Sequence, residues 1–311
     1  MALRIVFMGT SAFAVPTLRA LVASSHNVVS VYTQPPRPSG RRGLKIIPSA
    51  LHQVASELDI EILIPTCFEQ EEYEKFLNFN ADVAIVVSYG LIIPSNILSA
   101  TRLGFYNGHA SLLPRWRGAA PIQRAIMSND NETGIAIMKM DENLDMGPVA
   151  IMKNIEISPN ITAGLLHDKL SIMCADAMLE AMDKLEQNNL PLSPQKEDGV
   201  TYAKKISKSE TRIDFKKSSE EVHNHIRALS PFPGAWFEIS IKNRFERIKL
   251  LESELVDGEG YPGEIISSDF TIACAKGAVR IKRLQRAGGH AITSVKDFLL
   301  GNPILTGSII D

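Results

Sequence analysis

Leu3-Arg4-Ile5-Val6-Phe7-Met8-Gly9-Thr10 is a short apolar run closed by a glycine turn, and a helical pattern follows it around Val15-Pro16-Thr17-Leu18-Arg19-Ala20-Leu21-Val22. Strand, turn and helix in that order begin a doubly wound α/β domain, where the helix carries the chain back over a parallel sheet. The turn lacks G-x-G-x-x-G spacing, so a dinucleotide site has little support. Further along, Val28-Val29-Ser30-Val31-Tyr32-Thr33 reads as the second strand. Ala81-Asp82-Val83-Ala84-Ile85-Val86-Val87 is nearly continuous in apolar residues, as suits a strand covered on both faces. It delivers Ser88-Tyr89-Gly90 at its carboxyl end, where such sheets bind ligands. Gly104-Phe105-Tyr106-Asn107 and Ile135-Ala136-Ile137-Met138-Lys139-Met140 supply further strands. The fold expected is a doubly wound, mostly parallel sheet.

Residues 162–187 keep a helical period, with Leu166, Leu170, Met173, Ala177, Ala181 and Leu185 on one face, and that stripe reads as core packing. The proline- and asparagine-containing stretch 188–199 reads as a linker between domains. Ser218-Ser219-Glu220-Glu221 opens a capped helix that ends near Pro231. His223 and His225 are two positions apart on that helix, so they diverge and make a poor metal pair. Beyond it, short apolar runs alternate with turns (Ala235–Ile241, Ile248–Leu255, Gly263–Ile266, Thr271–Ala275, Val279–Leu284), the spacing of a small β-barrel. The boundaries expected are an α/β domain over 1–187, a linker over 188–206 and a barrel over 207–311.

Of 311 residues, 45% are hydrophobic and 22% charged, which describes a soluble globular protein large enough for two domains. Cys67, Cys174 and Cys274 are far apart and share no metal-ligand spacing, so the composition suggests a reducing cytoplasm. No apolar run approaches membrane-spanning length, and the first residues pass directly into a strand, leaving no room for a signal peptide. Net charge is −2, yet residues 1–200 hold 16 basic against 21 acidic residues while 201–311 hold 17 against 14. That asymmetry is a weak sign of an anionic partner. Two clusters are stronger: Arg37, Arg41, Arg42 and Lys45 within one Pro/Gly-rich stretch, and Lys276, Arg280, Lys282, Arg283 and Arg286. Either alone also fits a solvated face.

Chemistry enters at residues 107–123, Asn-Gly-His-Ala-Ser-Leu-Leu-Pro-Arg-Trp-Arg-Gly-Ala-Ala-Pro-Ile-Gln. In an extended segment Asn107 and His109 leave the same face. An amide and an imidazole aimed at one point can polarise a carbonyl and hold the oxyanion that develops from it. Asp145, in Met140-Asp141-Glu142-Asn143-Leu144-Asp145-Met146-Gly147-Pro148, supplies a carboxylate able to orient or charge the histidine. Taken singly these letters are bland: Asn-Gly is a hairpin signal, a lone histidine is commonly structural, and Asp before Gly-Pro is a turn residue. Together they point to acyl-group chemistry.

This run resembles the signature of the folate-dependent formyltransferases, and the resemblance puts their catalytic trio on Asn107, His109 and Asp145. It implies 10-formyltetrahydrofolate as co-substrate, held by Ser111, Leu112, Leu113 and Pro114 and by the loop Ser88, Tyr89 and Gly90. No metal is implied. The continuation Arg115–Gln123, the Arg-rich loop and the segment 227–236 are similar to the members of the family that act on methionyl initiator tRNA. By that resemblance the second domain is an OB-like tRNA-binding barrel, and Arg37, Arg41, Arg42, Lys45, Lys282 and Arg283 are candidates for tRNA contact. The implied protein is a cytoplasmic monomer that uses initiator tRNA and folate and has no membrane partner. Enzymes that formylate glycinamide ribotide or amino-sugars, and a formyl-folate hydrolase, share the trio. A tRNA-binding protein with a decayed site is the reading from another class. Two departures stand out: Gly108 replaces a β-branched residue, and Asn143 and Met146 flank the aspartate where Gly and Thr are usual. Gly108 is expected to loosen the strand that aims the trio.

Overall fold

The computed structural model describes residues 2–39, 45–241, 244–286, 288 and 291–310. The chain forms two compact units, the first from Met1–Pro121, Thr133–Ile155 and His167–Ala203, the second from Ile122–Glu132, Glu156–Leu166 and Lys204–Asp311.

In chain order the first unit contains β1 (Arg4–Gly9), β2 (Asn27–Tyr32), β3 (Arg37–Ser39), β4 (Lys45–Ile47), β5 (Ile62–Leu63), β6 (Val83–Val87), β7 (Phe105–His109), β8 (Arg117–Gly118), most of β9 (Glu132–Lys139) and β10 (Val149–Glu156), and β11 (Tyr202–Ala203). Seven of these make one sheet in the order β10-β9-β7-β6-β1-β2-β5. β5, β2, β1, β6 and β7 run parallel, and β9 is antiparallel to β7. Strand order reverses between β1 and β6, so the crevice at their carboxyl ends is the topological switch point where open α/β sheets bind ligands. Gly9 lets that crevice close: a Cβ there would lie 2.8 Å from the Val87 carbonyl and 2.9 Å from the Ala14 Cβ. β6 is buried along its whole length, as its apolar run requires.

The helices are α1 (Val15–Ala23), α2 (Ala50–Glu57), α3 (Gln70–Asn78), α4 (Ser95–Leu98), α5 (Pro121–Met127) and α6 (Ala163–Glu186). Ser49 caps α2 by accepting the His52 N–H at 3.0 Å. Tyr32, Phe76, Tyr89 and Phe105 form a buried aromatic cluster beneath the switch-point loops.

In the second unit α7 (Ser219–Leu229) carries a complete capping box, Ser218 with Glu221. Then come β12 (Ala235–Ile241), β13 (Arg244–Val256), β14 (Ile265–Ser267), β15 (Thr271–Ala273), β16 (Ala278–Arg286), β17 (Ile292–Ser294) and α8 (Val295–Gly301). These strands make an antiparallel sheet in the order β12-β13-β16-β15-β14, with β17 on β16. Val222, Ile226 and Leu229 of α7 share one core with Phe237, Ile248 and Ile281 of the strands and with Phe270 of the turn between β14 and β15. Two outlying segments are tied to α7 by polar contacts. Asn224 Nδ2 donates to Asn129 Oδ1 at 3.1 Å, and Arg227 Nη1 donates to the Ser158 and Ile161 carbonyls at 3.2 and 3.3 Å.

Two stretches differ from their expected character. At the ends of the Arg-rich stretch, where a loop is expected, β3 and β4 pair as antiparallel strands from Arg37↔Ile47 to Ser39↔Lys45; Arg41 and Arg42 lie outside the described residues. Residues 188–203 stay with the first unit, where Ser193 bridges Val149 and β11 pairs with β8. Among the described residues no helix is long and apolar enough to cross a membrane.

Candidate active site

β7 lies inside the sheet, with Asn107 opposite Val86 Cα of β6 in register order and Met138 of β9 on its other side. Both backbone edges are engaged, so Asn107-Gly108 is mid-strand and the two-residue period sends Asn107 and His109 to one face. Gly108, expected to loosen the strand, instead makes room: a Cβ there would lie 2.4 Å from Cys174 Sγ of α6. Burial pushes the Cys174 thiol up to about 12, so it fills space and stays protonated.

Asp145 comes to this face from the loop between β9 and β10, in a left-handed conformation at φ 52°. Its two oxygens divide their partners. Oδ1 accepts from Asn107 Nδ2 at 3.4 Å, while Oδ2 lies 3.7 Å from His109 Nδ1 and accepts the Gly118 N–H at 2.8 Å. The other ring nitrogen of His109, Nε2, is 2.9 Å from the Trp116 carbonyl. A carbonyl cannot donate, so Nε2 carries a hydrogen. His109 is 6% exposed while Asn107 and Asp145 are half-buried, so the amide and the carboxylate are the parts of the trio that open to the outside. Asn143 and Met146, the departures beside Asp145, are both exposed.

One residue of this constellation carries no sequence signal. Gln195 lies in the stretch expected to be a linker, yet its Nε2 donates to the Asp145 and Gly147 carbonyls at 2.8 Å each. Its Oε1 accepts from Arg117 Nε and Nη2 at 3.1 and 2.7 Å, and Arg117 is 5% exposed. A glutamine fifty positions from its aspartate is indistinguishable from any polar residue of a proline-rich segment.

The loop 88–90 is pinned at the switch point. The Tyr89 carbonyl accepts from Thr10 Oγ1 at 2.8 Å and Gln34 Nε2 at 2.7 Å, and the Ser88 carbonyl accepts the Thr10 N–H at 3.1 Å. Ser88 and Gly90 are exposed, while the Tyr89 ring is buried in the aromatic cluster, so this loop offers backbone and not the phenol. In the run 111–114, Ser111 is fully buried with Oγ on the Arg115 carbonyl at 2.6 Å, Leu113 is buried, and the Leu113-Pro114 bond is cis. Leu112 and Pro114 are left half-exposed.

Three of the candidate cations, Arg37, Lys282 and Arg283, have partners among the described residues. Arg37 Nη2 donates to Gln34 Oε1, and Lys45 is exposed on β4. Along β16, Lys282 pairs with Glu254 at 3.3 Å and Arg283 with Glu252 at 2.9 Å; Arg280 and Arg286 pair with Glu254 and Glu246. The cluster that looks uncompensated in the sequence therefore faces carboxylates of the neighbouring strand β13. His26, Asp183 and Glu186 bring possible ligand atoms within 4.8 Å of one another. His26 Nδ1 accepts the Leu3 N–H at 3.4 Å, so a neutral ring bears its hydrogen on Nε2, 3.5 Å from Asp183 Oδ1. That is a donor facing a carboxylate, not a metal-ligand lone pair.

Residues 3–182 match the formyl transferase family and residues 205–303 the formyl transferase C-terminal domain. The methionyl-tRNA formyltransferase of Sinorhizobium medicae is 59% identical over 309 residues, 99% of each chain. That of Rhizobium meliloti is 57% identical over 311 residues, the whole of both chains. Among solved structures, an N-formyltransferase from Helicobacter canadensis in complex with folinic acid and dTDP-3-aminofucose shares the fold at TM-score 0.67 and 19% identity, over 92% of this chain and 100% of that one. HypX from Aquifex aeolicus, in complex with tetrahydrofolic acid, does so at TM-score 0.63 and 16% identity; this chain is covered over 96% and spans about half of HypX, 47%. The chain belongs to the formyl transferase family and, within it, to the methionyl-tRNA formyltransferases.

Proposed function

We propose that the protein transfers the formyl group of 10-formyltetrahydrofolate to the α-amine of methionyl initiator tRNA, giving formylmethionyl-tRNA for translation initiation, with Asn107, His109 and Asp145 as catalytic residues. The observation that carries the assignment of roles is the single carboxylate of Asp145 facing Asn107 with one oxygen and His109 with the other.

The neutral amine attacks the formyl carbon; the new C–N bond forms as the carbonyl π pair moves onto oxygen. Asn107 gives one amide hydrogen to Asp145 and has a second for that oxygen. His109 Nε2–H, which rests on the Trp116 carbonyl, is the second donor and exchanges that acceptor for the oxyanion. Asp145 Oδ2, 3.7 Å from Nδ1 on the other side of the ring, keeps the imidazole oriented toward the oxyanion. The proton lost by the attacking nitrogen passes through water to N10 of the folate. The oxyanion's electron pair then returns to re-form the carbonyl as the C–N10 bond breaks with its own pair on nitrogen, and tetrahydrofolate leaves.

Folate is read as lying against the backbone of Ser88-Tyr89-Gly90 and against Leu112 and Pro114, with Ser111 and Leu113 shaping that turn from inside. Initiator tRNA is read as engaged by Arg37, Arg41, Arg42 and Lys45 of the Arg-rich stretch and by Lys282 and Arg283 of the second unit. The protein is read as a cytoplasmic monomer. Single-turnover transfer from 10-formyltetrahydrofolate to methionyl initiator tRNA tests the whole reading, with elongator tRNA and an amino-sugar nucleotide as competing acceptors. Formylation of initiator tRNA alone is expected; transfer to the sugar would overturn the acceptor. Substituting Asn107, His109 or Asp145 is expected to cut kcat by about a hundredfold or more, with tRNA binding little changed.

A further inference from the structure

The segment 193–203 lies against the active site in a way that its composition does not announce. Ser193 exchanges both backbone bonds with Val149, at 2.8 and 2.9 Å, next to the loop that bears Asp145. Two positions on, Gln195 reaches that loop with its side chain. Because both Arg117 nitrogens point at one atom of the Gln195 amide, that atom is the oxygen, and the amide nitrogen faces the Asp145 and Gly147 carbonyls. Thr201 Oγ1 then accepts the Trp116 N–H at 2.9 Å, and the Thr201 carbonyl accepts the Arg117 N–H at 2.9 Å. Trp116, like Asp145, holds a left-handed conformation, at φ 63°. The two groups that contact the His109 ring are thus each fastened by this segment, Asp145 through Gln195 and the Trp116 carbonyl through Thr201.

We propose that Gln195, locked by buried Arg117, is a positioning residue for formyl transfer: it fixes the carboxylate of Asp145 against Asn107 and His109 by holding the backbone on both sides of Met146. The proposal rests on the catalytic reading of Asp145. The two carbonyls it holds bracket a loop whose aspartate sits in a conformation that non-glycine residues adopt sparingly, so external bonds are what keep it there. Displacements on the order of 1 Å in a site of this kind cost up to about a hundredfold in rate.

The test is steady-state formylation by Q195A, Q195E, D145N and the double variant Q195A/D145N, each with a thermal unfolding curve. Q195A is expected to lose about tenfold to a hundredfold in kcat, with KM for both substrates within about twofold. Q195E keeps an acceptor for Arg117 but turns an oxygen on two carbonyls, so it is expected to be at least as impaired as Q195A, even with its unfolding temperature retained. If Gln195 acts through Asp145, its loss is largely absorbed in the D145N background, and the double variant is no slower than D145N by more than about twofold. Wild-type kcat in Q195A or Q195E beside a crippled D145N would overturn this proposal alone. Full additivity in the double variant would also overturn it, leaving Gln195 a role in folding only. Wild-type turnover in D145N would overturn the reading of Asp145 and this proposal with it.

Discussion

Gly108 and Cys174 compete for one space. The backbone at 108 is ordinary strand, so alanine there meets no conformational barrier, only the sulfur 2.4 Å away. Filling an already packed site costs about 1–3 kcal/mol, and we expect G108A to lose that much stability and to slow catalysis by shifting the strand that holds Asn107 and His109. With Cys174→Ala in the background the obstruction is gone, and the same G108A change should cost less than about 0.5 kcal/mol. Urea denaturation of the four proteins in this cycle decides the matter: additive losses would sink the account. The pair also marks the limit of reading residues from sequence. Asn107, His109 and Asp145 are legible because acyl chemistry needs those groups together and their spacing within a strand aims two of them. That a glycine in the same strand is a packing partner of a cysteine on α6 is encoded in no local pattern. Gln195 is hidden for the same reason, since its work is done by two hydrogen bonds across fifty residues of chain.

At the scale of elements, α7 binds the second unit together and makes it sensitive to acid. Burial lowers His225 to about 4, with Lys217 and Arg124 adding to the effect and Glu210 opposing it, and burial lowers His223 as well. Each ring is therefore neutral in the folded protein at a pH where the unfolded chain takes up a proton. Stability falls as the pH drops from the unfolded value near 6.5 toward about 4, where His225 finally charges in place. From the size of that shift His225 alone accounts for at most about 3 kcal/mol of the loss. His225→Gln should flatten the urea midpoint between about pH 6.5 and pH 4.5 relative to wild type, leaving the share of His223. An unchanged slope would show that His225 titrates in the folded state. Glu210, drawn down to about 2 by its bond to Arg124, gives stability that is fully present above its unfolded value of 4.5 and is lost as the pH falls from there toward 2, so it adds to the loss only at the acid end of this range. The helix cap is a separate contribution: S218A removes the side-chain acceptor for the Glu221 N–H and should cost about 1 kcal/mol at neutral pH. The start of α7 is legible because Ser218 and Glu221 stand at capping-box spacing ahead of an apolar period, and its end at Leu229 falls two residues before Pro231. The pairing of β3 with β4 is not, since Pro and Gly mark a turn without saying that the flanks will pair, and β10 alternates too weakly to announce an edge strand.

Over the whole molecule, charge has to reconcile a net −2 with a polyanionic partner. The sheet of the second unit keeps its cations in register with acids: Arg283 is 2.9 Å from Glu252, and Lys282 3.3 Å from Glu254. Pairs this exposed are worth about 0–1 kcal/mol, weak enough for a phosphate to take the cation, but the carboxylate then stays beside the phosphate. The Arg-rich stretch 37–45 contains four cations and no acid. Within that stretch no neighbouring acid in the sequence competes with a tRNA phosphate for the four cations. The salt dependence of tRNA affinity should therefore reside mostly in this stretch: R41A/R42A is expected to reduce the log–log slope by about 2, and K282A/R283A by less than half as much. E252Q/E254Q should tighten tRNA binding at low salt, because it frees the two cations and removes the repulsion at once. Binding titrations of methionyl initiator tRNA across a salt series separate the outcomes. Equal slopes lost by the two double substitutions would give the sheet as large a share as the Arg-rich stretch, and no gain in E252Q/E254Q would take Lys282 and Arg283 out of the tRNA interface altogether.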